Sequence, residues 1–213
     1  MKERKKLCIA GAGGFARETL LIAIEIFNQK SIDYTCNTVF LVKDEDWNEE
    51  LIMGVPQLKE SNFVVDDYEV VLGVGDQYLK EKILNKLPKN TNYTNLIHPN
   101  ADVSGFVTLG KGIIIASGAV VTCNINIGNH VVIDRQVTIG HDCILNNNCH
   151  IAPSVVLSGN VSIEESCYIG TGALIREGIS IAADTTIGMG AVVVKNITEK
   201  GIYIGNPAKK SHK

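Results

Sequence analysis

Every sixth residue from Ile97 to Val193 is aliphatic: Ile97, Val103, Leu109, Ile115, Val121, Ile127, Ile133, Ile139, Leu145, Ile151, Leu157, Ile163, Ile169, Ile175, Ile181, Ile187 and Val193. Seventeen positions keep phase without a slip in a chain that is 45% hydrophobic, so chance does not account for the run. Four residues after most of them comes a small or β-branched residue, from Val107 and Ile113 through Cys143, Cys149 and Cys167 to Ala191. Small residues also follow the aliphatic directly, as at Gly128, Gly140, Gly170 and Gly188. A period of six fits neither an α-helix nor a run of hairpins. It predicts a parallel β-solenoid with one hexapeptide per flat face, the aliphatic stacked inward and a small residue near each corner.

The front of the chain follows another pattern. Leu7 to Ala10 reads as a buried strand, Gly11-Ala12-Gly13-Gly14 as a tight turn, and Arg17 to Phe27 as a helix with one apolar face. Val39 to Val42 and Val70 to Val74 read as further strands, the second leading into a helix from Gln77 to Leu87. Strand, glycine turn, helix and strand predict a small Rossmann-like parallel α/β sheet. The expected domains are 1–95 for this α/β unit, 96–194 for the β-helix and 195–213 for a C-terminal tail.

Composition narrows the function. Lys and Arg number 20 against 23 Asp and Glu, a net charge of −3, which leaves no basic excess to neutralise a nucleic acid backbone. The basic start, Met1 to Lys6, precedes an apolar run broken at Gly11, too short for a signal segment or a membrane span, so the expected location is cytoplasmic. Six cysteines form no C-x-x-C pair. Cys149 and Cys167, eighteen residues apart, should stack about 4.8 Å apart as thiols in a reducing compartment.

The hexapeptide run resembles the left-handed parallel β-helix acyltransferases, with three hexapeptides per triangular coil. The whole chain, with Leu96-Ile97-His98-Pro99 at the junction, Ile139-Gly140-His141-Asp142-Cys143 mid-helix and Gly205-Asn206-Pro207-Ala208-Lys209 near the end, is similar to the sugar acyltransferases that modify sialic acids and nucleotide-linked amino sugars. That resemblance implies acetyl-CoA as co-substrate, a nucleotide-linked amino sugar as acceptor, and a homotrimer with active sites between neighbouring subunits. Apolar residues on the outside of a single β-helix agree with association along its flat sides.

Acetyl transfer from a thioester needs a base beside the acceptor, and histidine titrates near operating pH. His141 follows the inward Ile139 by two, so its ring should leave the core, and Asp142 beside it could fix its tautomer. Read alone, the pair is a base with its orienting carboxylate or a polar corner; the resemblance implies the catalytic role for both. It implies a contact of His150 with the thioester region, against a plain corner residue. Gly170 and Gly188 join His150 on the expected acetyl-CoA side. Lys195 is three eighteen-residue coils beyond His141, roughly 14 Å along one column, where it either meets a phosphate of the pantetheine arm or begins a solvated tail.

In the front domain, Gly11, Gly13 and Gly14 would let backbone approach a phosphate at a helix N-terminus. The resemblance places a diphosphate contact at Arg17 and reading of the base near Asp44, with Gly73 and Gly75 either walling the same crevice or turning the chain. His98 either lines the sugar pocket or acts as a hinge. Asp134 stands where the family usually has asparagine, which bears on how the sugar is oriented.

The leading function is acetyl-CoA-dependent N-acetylation of a nucleotide-linked 4-amino-4,6-dideoxy sugar by direct transfer. Sialic acid type O-acetylation is the alternative. A gamma-type carbonic anhydrase needs three converging histidines, two of them about five residues apart, whereas His130, His141 and His150 are separated by eleven and nine, so no metal is expected. A non-catalytic scaffold would explain the repeat but neither the glycine turn nor His141-Asp142.

Overall fold

A computed structural model describes residues 5–211; Met1 to Arg4 of the basic start, and His212 and Lys213, lie outside the described residues. The chain divides into two compact units, with the boundary between His98 and Pro99.

The first unit contains β1 (Lys6–Ala10), α1 (Gly14–Gln29), α2 (Tyr34–Asn37), β2 (Thr38–Val42), β3 (Gln57–Lys59), β4 (Tyr68–Leu72) and α3 (Gln77–Lys86). The sheet order is β3-β2-β1-β4, and every pairing is parallel. A parallel sheet covered on both faces needs strands that are apolar throughout, which Leu7 to Ala10 and Val39 to Val42 supply by being buried at every position. Cys8, Ala10, Val39, Leu41, Val70 and Leu72 make one core cluster, with Ile83 and Leu84 of α3 packed against it.

The glycine turn is shorter than the sequence pattern suggests. α1 starts at Gly14, three residues before Arg17, with Gly13 as its N-cap and no side chain capping the first turn. β4 ends at Leu72, and Gly73, whose amide still donates to the Ala10 carbonyl at 2.9 Å, lies bare against α1, where a Cβ would be 2.8 Å from Cα of Ala16 and 2.6 Å from Ile9. α2 and β3 went unread because four and three residues carry no usable period.

The second unit is a left-handed parallel β-helix of two- and three-residue strands. Partners lie eighteen residues apart, as in Ile133 with Ile151 and Ile139 with Leu157. Each aliphatic of the six-residue series from Ile115 to Val193 is buried. Val103 and Leu109 are only half-buried, since the first coil has a neighbour on one side alone, and Ile97 falls in the first unit. The second register, from Ile113 to Ala191, is buried too, so each hexapeptide sends two side chains inward. A buried aliphatic contributes about 1.5–3 kcal/mol, and the repeat multiplies that along the axis.

A third register is set by the backbone. Every sixth residue from Gly112 to Gly190 has a positive φ near 60°, among them Asn124, His130, Gln136, Asp142, Asn148 and Asn160. These are the corners, where glycine and short polar residues tolerate the left-handed conformation best. After Val193 the step shortens: Ile181 bridges Ile197 and Ile187 pairs with Tyr203, both sixteen apart, before Lys209–Lys210 closes antiparallel on Ile202–Ile204.

Candidate active site

Two clusters of polar side chains occupy the β-helix. In the first, the left-handed corner residue is Asp142, and His141 immediately precedes it. Nδ1–H of His141 donates to Oδ2 of Asp142 at 2.6 Å, and a carboxylate can only accept, so this bond leaves Nε2 of the neutral ring as the acceptor nitrogen. The ring is half-exposed. It rests where Gly159, one coil on, has no side chain: a Cβ there would lie 2.6 Å from both Cε1 and Nε2. The Asp142 carboxyl is held below its ordinary value, first by a hydrogen bond from Asn124 and then by the one from His141. Cys123, exposed, occupies the corresponding site one coil earlier, and its carbonyl accepts the Asp142 amide at 3.1 Å.

The second cluster is buried. His150 and Asp134 are each 6% exposed, and Nε2 of His150 is 3.8 Å from Oδ2 of Asp134. Tyr168, paired with His150 one coil on, meets the imidazole edge-on at 5.4 Å between centroids. Burial works against the charge on Asp134, yet its carboxyl is held below the usual range by the neighbouring His150 imidazole and by the amide and guanidinium of Arg135. Asp134 stands in a column of otherwise small residues that directly follow inward aliphatics, Ala116, Ala152, Gly170 and Gly188. The last two are demanded by stacking: a Cβ on Gly170 would be 2.7 Å from the Ile187 carbonyl, and one on Gly188 would be 2.7 Å from Ile204. Lys195 is exposed two residues beyond Val193, the end of the eighteen-residue register.

In the first unit a cavity of about 560 Å³ opens at the C-terminal ends of the strands. Gly11 and Gly13 form one wall, Leu41 to Lys43 another, and Lys82 and Lys86 of α3 a third. The position is the one open parallel sheets use for ligands, beside the strand at which the order reverses. Gly14, Arg17, Asp44, Gly73 and Gly75 are outside this lining. Arg17 is exposed on the first turn of α1, and Asp44 accepts the Ser61 amide at 3.0 Å; its carboxyl lies below the ordinary range, first through the Ser61 side chain and then through this amide. His98, half-buried, ends the unit.

Sequence reasoning missed Lys82 and Lys86. Their i,i+4 spacing on a helix reads as a solvated face, although Lys86 pairs with Glu60 at 3.4 Å and Lys82 lies over the Tyr78 ring at 4.3 Å. Among the described residues no group of His, Cys, Asp or Glu is arranged to hold a metal ion, and no helix is long and apolar enough to cross a membrane.

Known proteins divide along the same lines. Residues 6–87 match the family described as PglD N-terminal domain, and 124–159 match bacterial transferase hexapeptide (six repeats). Comparison with curated proteins gives no match. Among solved structures, the acetyltransferase domain of PglB from Neisseria gonorrhoeae FA1090 is 29% identical with a TM-score of 0.88, over 98% of this chain and 100% of that one. A histidine-to-asparagine mutant of perosamine N-acetyltransferase from Caulobacter crescentus, in complex with CoA and GDP-perosamine, is 26% identical over 99% of each chain, with a TM-score of 0.84. WeeI from Acinetobacter baumannii AYE is 25% identical over 98% of this chain and 100% of that one, with a TM-score of 0.87. An α/β unit with a glycine turn, a β-helix carrying a histidine beside its corner residue Asp142, and these likenesses over the full length make the chain a hexapeptide-repeat protein similar to the sugar acetyltransferases.

Proposed function

We propose that the chain transfers an acetyl group from acetyl-CoA directly to the amine of a nucleotide-linked 4-amino-4,6-dideoxy sugar, with His141 as general base. The carrying observation is the 2.6 Å contact of Nδ1 of His141 with Asp142, which leaves Nε2 to accept a proton. The acceptor amine attacks the thioester carbonyl; the C–N bond forms, the C–S bond breaks, Nε2 takes the proton from the nitrogen and returns it to the departing sulfur. Asp142, kept ionised, faces the imidazolium that forms in between.

His150, the side-chain-free column of Gly170 and Gly188, and Lys195 form the acetyl-CoA side of this reading. The PglB domain that resembles this chain has a solved structure in complex with acetyl coenzyme A, which supports the donor. The cavity at Gly11 and Gly13 takes the nucleotide. The uncapped first turn of α1, with Lys82 and Lys86 opposite, suits a diphosphate. The crystals with GDP-perosamine support a nucleotide-linked amino sugar as the acceptor class. Asp134, beside His150, bears on the sugar's orientation, and three subunits associate to complete the sites.

Screening uridine, thymidine and guanosine diphosphate 4-amino sugars for thiol release from acetyl-CoA tests the reading. Turnover with one base well above the others is expected; release with none of them would sink it. The nucleotide site has its own test in Gly13→Val. A Cβ at Gly13 meets nothing within 4 Å and the backbone there is extended, so the fold should survive while the added bulk enters the cavity. KM for the sugar nucleotide should rise about tenfold or more with KM for acetyl-CoA unchanged. Equal loss for both substrates would show that the turn supports the fold instead.

A further inference from the structure

Asp142 can hold the imidazole of His141 in one plane only if its own carboxylate is held, and one of its two oxygens is already occupied by the ring. The other, Oδ1, accepts a hydrogen bond from Nδ2 of Asn124. Asn124 is eighteen residues before Asp142, at the same corner one coil earlier. Both residues have left-handed backbones, with φ of 59° and 60°. The Asp142 amide donates to the carbonyl of Cys123, next to Asn124, so the two corners are joined by main chain as well as by side chain. The amide reaches Asp142 from a rigid coil through a side chain with two rotatable bonds, which makes it an effective anchor.

We propose that Asn124 is a positioning residue for the acetyl transfer: it fixes the Asp142 carboxylate, which in turn fixes the tautomer and plane of His141. The inference rests on the reading of His141 as the base. A relay of this kind adds no contact with substrate, so its loss acts on the reaction step and leaves substrate affinity alone. Gly159 completes the arrangement from the other side by leaving the ring its place.

The informative variant is Asn124→Gly, because glycine accepts the positive φ and removes only the amide, whereas alanine would add backbone strain. kcat should fall about ten- to hundredfold, the range seen when a group behind a ligating or reacting residue is lost, with KM for both substrates unchanged. The effect should depend on the partner: in an Asp142→Asn background, adding Asn124→Gly should change kcat by less than about twofold. A role confined to folding would instead lower the melting temperature, raise both KM values, or add in full to the Asp142 variant, and any of these overturns the proposal. His141→Ala assayed alongside separates the two readings. If it leaves kcat intact, the base assignment fails. If it abolishes turnover while Asn124→Gly is as active as the parent, only the positioning role fails.

Discussion

His141→Ala should lower kcat by about 10²–10⁴ while KM for sugar nucleotide and acetyl-CoA stays within about twofold, because removing a general base raises the barrier without touching the groups that bind. The structure makes the substitution clean. The ring is half-exposed and packs over a glycine, so truncating it leaves no core cavity, and thermal unfolding should be little changed. Asp142→Asn should cost less, since Nε2 keeps its place and only the tautomer preference and the charge facing the imidazolium are lost. Steady-state kinetics with purified variants are the check. Unchanged turnover in His141→Ala would mean that the amine needs no base from this residue.

Gly159→Ala should approach the same loss without altering any polar group. Its methyl would sit 2.6 Å from two imidazole atoms, well inside contact distance, and the partly exposed ring would swing away from Asp142. The φ of Gly159 is not in the left-handed region, so alanine brings no backbone strain and the coil should stack as before. Displacing a reacting group by about 1 Å can cost about 10²-fold in rate. kcat should therefore drop by about that factor with a melting temperature near the parent's. Gly159→Ala with full activity would show that the ring works in another rotamer.

The β-helix was legible because its constraint is geometric: one inward aliphatic per face, repeated every six residues, leaves a mark in the sequence that neither helices nor hairpins produce. The corner register is written less plainly. His130, Gln136, Asp142, Asn148 and Ser154 share a backbone conformation and no side-chain chemistry, so the pattern alone does not say which of two neighbours takes the left-handed φ; it is Asp142, next to His141. The pairing of Asp134 with His150 escaped notice for a related reason. They are sixteen apart, one coil less two, and a strict eighteen-residue column assigns them to separate lines.

In the front unit the strands and the glycine turn were visible as apolar runs with breakers. The wall opposite the turn was not, since Lys82 and Lys86 acquire a shared environment only when α3 packs along the sheet. Arg17 and Asp44 came from family resemblance, and the side chains themselves lie outside the cavity lining. The register change after Val193 has no sequence signal of the kind that marks the coils, because Ile197 and Tyr203 break the six-residue phase.

The central claim is that the acetyl group passes to an amine of a nucleotide-linked sugar, and the chemical form of the product tests it most directly. The purified chain would be incubated with acetyl-CoA and the best of the nucleoside diphosphate 4-amino sugars, and the isolated product examined by mass spectrometry and NMR before and after hydroxylamine. The account predicts one added acetyl per sugar, attached as an amide at C4 and stable to hydroxylamine. A hydroxylamine-labile ester on a sugar hydroxyl, or no acetylated product from any of these nucleotides, would contradict it.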